Sequence, residues 1–138
     1  MGLSTILSVT ILSFLAFGGL PAKASVDQLV AKQVLILSEV PLATAREHKE
    51  GIARDAIAPS LGVVPSFVKV TKVFKSSVEL ETHFEYTVRA TNVANQKALC
   101  QTMRGNVYHE NLNTKVSQVT GISQDDMTVS ITGCDLAT

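Results

Sequence analysis

Acid–base chemistry, metal binding and nucleophilic attack each need particular side chains, and this sequence holds few of them. Its histidines are His48, His83 and His109, far apart, and none belongs to an H-x-H or H-x-x-x-H pattern that would set two imidazoles on one face. His48 lies in a charged stretch and His83 on the polar side of an alternating segment, so each of the three is expected to be a solvated surface histidine. Cys100 and Cys134 are the only thiols, and neither has a His or Cys two to four residues away, the usual spacing of a zinc site. No G-x-S-x-G surrounds a serine. Asp125-Asp126 is an adjacent carboxylate pair, but neighbours on a strand point to opposite faces, and a turn leaves both in water. Residues 106–111, Asn-Val-Tyr-His-Glu-Asn, are polar enough to bind something and read instead as the fraying end of a helix. The sequence therefore assigns no catalytic residue, no cofactor site and no metal site.

The first residues carry a different kind of signal. Residues 1–20 have no charged side chain, and an apolar core from Ile6 to Phe17 is broken by Gly18-Gly19-Leu20-Pro21. Ala22-Lys23-Ala24 then places small residues at the two positions a signal peptidase reads, just before Ser25. An apolar stretch of about 15 residues ahead of an A-x-A site is a cleaved secretory signal, and it is short for a membrane span. The expectation is a signal peptide over residues 1–24 and one small domain over residues 25–138. The competing reading keeps the apolar segment as an anchor helix, since no Lys or Arg precedes it.

With residues 1–24 removed, eleven basic residues face twelve acidic ones, one net negative charge. There is no basic excess to neutralise phosphates, which argues against a nucleic-acid partner. A polybasic membrane-surface patch is also lacking, because Lys69, Lys72 and Lys75 are answered by Glu79, Glu81 and Glu85. No Asn begins an N-x-S/T acceptor, and Trp is absent. Two cysteines in an exported chain imply a Cys100–Cys134 disulfide, with two buried thiols or half a metal site as the alternatives. Closing a loop of that length would stabilise the fold by about 3–4 kcal/mol in the chain-entropy picture. The implied location is periplasmic or secreted.

Several elements must position these residues. Residues 26–40 fit either a helical stripe or, over Val34-Leu35-Ile36-Leu37, a buried strand. A helix is expected over residues 42–58, rich in Ala and ended by Pro59 and Gly62. Residues 67–74 and 78–90 read as strands, the second in strict alternation, with a hairpin at Ser76-Ser77 that would set Lys75 opposite Val78 and Lys72 opposite Glu81. Asn92 is a candidate N-cap for a helix to about Val107, with Leu99, Cys100, Met103 and Val107 as its apolar stripe. Residues 112–121 read as loop or edge strand, and residues 127–131 as a half-buried strand that carries Cys134 back toward the second helix. The sum is an α+β fold, an antiparallel sheet with helices packed on one face. If residues 34–37 form a strand, the order becomes β-α-β-β-α-β, the ferredoxin-like arrangement.

The stretch of about residues 62–134 resembles the globular region of type IVb pilins and their minor pilins. The matching features are Gly62-Val63-Val64-Pro65 after a helix, the strand Phe84-Glu85-Tyr86-Thr87-Val88, Asn92-Val93, a helix bearing Cys100, and Thr128-Val129-Ser130-Ile131 leading to Cys134. The resemblance implies a structural subunit whose N-terminal helix packs in a filament and whose head is closed by the disulfide. The chain departs from the family in having no Glu before Glu39 and in placing Ala94 where a proline is usual. The leading functional expectation is an exported, non-enzymatic protein acting through protein–protein contact, accessory to a surface or secretion apparatus. The alternatives are a pilin-like subunit that keeps its apolar helix, and a small exported enzyme using His83 or His109. N-terminal sequencing of the mature protein is expected to begin at Ser25; a start that retains the apolar core would reject cleavage.

Overall fold

The computed structural model describes residues 29–78 and 80–137. The expected signal peptide, with Ala22, Ala24 and Ser25 at its cleavage site, lies outside the described residues. The ambiguous first segment is a strand, β1 (Leu29–Ser38). Ala31, Gln33, Leu35 and Leu37 point to a buried side, while Val30, Val34 and Ile36 on the other side are half-buried. A strand that is apolar on both faces reads as a continuous run, which is why periodicity alone left it open.

Residues 42–61 form a broken helix, α1, in the segments Leu42–Glu47, Lys49–Ile52, a π turn Ala53–Ile57, and Ala58–Leu61. It outruns its expected end because Pro59 falls in the last segment, behind the π turn. Proline removes the N–H that would reach back one turn and crowds the carbonyl there, and a wider turn absorbs that misfit. Gly62 then ends the helix at φ 69°, with its N–H on the Pro59 carbonyl and that of Val63 on the Ala58 carbonyl. Strand β2 (Val68–Lys75) and strand β3 (Glu81–Ala90) follow. Their loop is longer than the expected two-residue turn. Val78 and Leu80, read from sequence as strand, lie in the loop and are 55% and 57% exposed. The register therefore places Lys75 opposite Thr82 and Lys72 opposite Glu85, not Val78 and Glu81. Ser-Ser supplies no residue suited to the positive φ of a two-residue hairpin; the loop instead takes its left-handed step at Leu80, φ 63°.

Asn92 caps α2 (Val93–Met103), its side-chain oxygen accepting from the Asn95 N–H at 2.8 Å. The helix stops at Arg104-Gly105, short of Val107, which is 73% exposed and not part of its stripe. A separate helix, α3 (Asn106–Thr120), occupies the residues read as a fraying end and a loop or edge strand. Its buried face is only Tyr108, Leu112 and Val116, one residue per turn. So narrow a stripe in a polar context carries little helical signal. It packs closely on α1, where a Cβ on Gly51 would meet Val119 Cγ1 at 3.1 Å.

Strands β4 (Thr128–Ile131) and β5 (Asp135–Ala137) complete the sheet. Its order is β2-β3-β1-β4, with β5 pairing β1 beside β4, and every pairing is antiparallel. This is the ferredoxin-like order, helices on one face, as expected from a strand at residues 34–37. Between Leu35↔Ile131 and Lys32↔Asp135 the outer chain holds one residue more than β1, a bulge over residues 132–134. The core lies between sheet and helices, with Leu35, Leu37, Phe84 and Val88 against Ile52, Ile57, Leu112 and Val116. Leu35→Ala is expected to lower unfolding stability by about 2–5 kcal/mol, and Val107→Ala by less than about 0.5 kcal/mol. Urea denaturation of the two variants checks the contrast.

Candidate functional site

The three histidines do not converge, and among the described residues no group of three His, Cys, Asp or Glu side chains could hold a metal ion. They are also less solvated than expected. His48 is half-buried where α1 breaks. His109 sits half-buried on α3 with Nε2 against the Val129 carbonyl, an acceptor only, so that nitrogen carries the hydrogen. His83 lies on β3 with Nε2 3.3 Å from Glu81 Oε1 and its ring edge-on to Phe74, centroids 5.2 Å apart. Asp125 and Asp126 are exposed in a turn closed by the Asp126 N–H on the Ser123 carbonyl. Cys100 and Cys134 are disulfide-bonded, Cα atoms 5.3 Å apart, so no thiol is free.

A buried polar chain links the sheet to the helices. Gln33, 3% exposed at the middle of β1, donates from Nε2 to the Met103 carbonyl at 2.8 Å and the Thr132 carbonyl at 3.0 Å. Its Oε1 accepts from the Tyr86 hydroxyl at 2.5 Å, and Tyr108 lies 2.6 Å further on, its hydroxyl free to donate to that of Tyr86. Burial pushes both phenols above the ordinary tyrosine range, and for Tyr86 the neighbouring Tyr108 adds to the shift. Both are protonated donors at neutral pH. The Thr132 hydroxyl accepts from the Val34 N–H at 3.1 Å, replacing the carbonyl that Gln33 has turned inward. The network is internally satisfied, and Gln33, Tyr86 and Thr132 also border a small cavity of about 180 Å³ shared with Lys32, Glu85 and Asp135.

The sheet face away from the helices is open. Along β3 it presents Glu81, His83, Glu85, Thr87 and Arg89; along β1, Val30, Lys32, Val34, Ile36 and Ser38. The register sets Lys72–Glu85–Val34 in one row and Phe74–His83–Ile36–Ser130 in the next. Lys72 Nζ stands 4.6 Å over the Phe74 ring, and the Arg89 guanidinium 4.6 Å over Phe67. The face thus combines two cation-capped aromatics, an aliphatic centre and charges of both signs. The strict alternation of β3 showed its polar half in the sequence. The aliphatic half was hidden in the unbroken apolar run of β1.

A concavity of about 440 Å³ lies at one end of the sheet, lined by Val40, Pro41, Leu42 and Leu80 together with Glu39, Lys75 and Glu81. No histidine lines it. Glu39 and Leu80, both at positive φ, meet there through the Glu39 N–H and the Leu80 carbonyl at 2.8 Å.

No protein-family model matches this chain, and no relative is found among the curated proteins. The tyrosine pair fixes an alkaline signature. Below the ordinary tyrosine pKa of about 10 both phenols are neutral folded or unfolded; above it the unfolded chain releases protons that the folded chain retains, so stability falls as pH rises. Urea midpoints between about pH 8 and 11.5 are expected to hold and then drop above about pH 10. Tyr108→Phe, which keeps the Tyr86–Gln33 bond, should make that drop shallower.

Proposed function

We propose that this chain is an exported, non-enzymatic protein that works by docking the open face of its sheet on another protein. The observation that carries the reading is the half-buried aliphatic and aromatic cluster of Phe74, Ile36 and Val34, spread over two adjacent rows of the open face among Lys32, Lys72, Glu85 and His83. The disulfide supports an oxidising compartment, periplasmic or extracellular. Among the described residues no helix is long and apolar enough to cross a membrane.

One observation favours a second reading, a pilin-like subunit. Cys100 on a helix is bonded to Cys134 beyond β4, the frame on which the resemblance rests. In that reading the apolar segment before Leu29 is retained and the domain is the head of a filament subunit.

Ile36→Glu tests the docking face. It should weaken binding of the co-purified partner at least about tenfold, or 1.4 kcal/mol, while Val107→Glu, on the helix side, leaves binding unchanged. Equal urea midpoints for the two variants would confirm that folding is not the cause. Loss of binding with the α3 variant and not with Ile36→Glu would overturn the proposal.

A further inference from the structure

We infer that β5 is a redox-released strap: reduction of Cys100–Cys134 frees residues 134–137 from the edge of β1 while the rest of the sheet stays closed. The inference rests on the docking reading, because β5 adds Asp135 and Ala137 to the open face beside Lys32 and Val30.

Three ties hold β5. It pairs with β1 over Val30↔Ala137, Ala31↔Leu136 and Lys32↔Asp135. Gln96 Nε2 donates to the Ala137 carbonyl at 2.9 Å, and to that of Val30 at 2.8 Å. The disulfide anchors its first end to α2. Little apolar burial assists them, since Asp135 is exposed and Leu136 is 49% exposed. A three-residue strand held by one ladder edge and one side-chain amide belongs to the low-stability end of a fold.

The chain just before the strap is held independently of sulfur. Gln33 grips the Thr132 carbonyl, and the Thr132 N–H and hydroxyl both pair with Val34. The bulge at residues 132–134 is thus a natural boundary, with β4 on the secured side and β5 on the other.

The two sulfurs differ in access. Cys100 is buried, whereas Cys134 is part-exposed beside Met103 Sδ at 4.0 Å. The thiolate of an external dithiol attacks the Cys134 sulfur, forms a mixed disulfide and expels Cys100 as a thiolate, which takes up a proton. The second thiol of the reductant, losing its proton, then closes its own disulfide and releases Cys134. Two electrons pass from dithiol to protein, and the protein gains two thiols. The open face loses its outer column beside Lys32 and Val30, and that edge of β1 is left unpaired.

Backbone hydrogen exchange on the intact protein, oxidised and then reduced with excess dithiothreitol, tests the strap. Amides that pair β1 with β5 should exchange at least about tenfold faster after reduction, while those pairing β1 with β3 and β4 keep their protection. The Cys100→Ser/Cys134→Ser variant should reproduce the reduced pattern without reductant. Unchanged protection across β1 and β5, or loss of protection throughout the sheet, overturns the inference. The readout needs no partner, so a failed strap and a failed docking face give separate results.

Discussion

The architecture turns on one buried amide. Gln33 sits on the core side of the central strand, where an unpaired amide would cost about 1–3 kcal/mol on protein scales. Every hydrogen-bonding direction it uses is met from a different part of the chain: Met103 ends α2, Thr132 opens the bulge after β4, and Tyr86 lies on β3. A shift of β1 by one residue would turn this amide to solvent and strand its partners in the core. Apolar contacts such as Leu35 and Leu37 tolerate several registers; Gln33 selects one.

The sheet's two edges are poorly suited to pairing with another strand. Outer strand β2 carries Lys69, Lys72 and Lys75 and a register irregularity between Val70 and Lys72, both of which discourage another strand from adding there. On the other side β4 and β5 are short and interrupted by the bulge. Strand addition is blunted at both margins, whereas the open face keeps an aliphatic centre at Val34 and Ile36.

Much of this was legible in the sequence where a local rule and the tertiary environment agreed. The alternation of β3, the Asn92 cap, the half-buried β4 and the cysteine pair all follow from residue type and spacing. The misreadings share a cause in burial. β1 hid its period because both of its faces are apolar, and α3 hid because it buries one side chain per turn at Tyr108, Leu112 and Val116. The hairpin slipped by four residues of β3 because Val78 and Leu80 are apolar without being buried. Gln33 gave no local signal, since a polar residue in an apolar run is explained only by partners far along the chain.

The position of β1 also sets an order of events. Its partners are β3, β4 and β5, and even Ser38, at its last position, must wait for Glu81. A chain emerging from its N-terminal side therefore holds its most apolar strand without a partner until β3 arrives, and closure of Cys100 on Cys134 comes later still. Contacts of such long sequence separation form slowly. If the proposed export threads the chain unfolded, that delay would keep it threadable during transit and postpone the sheet, and with it the disulfide, to the far side.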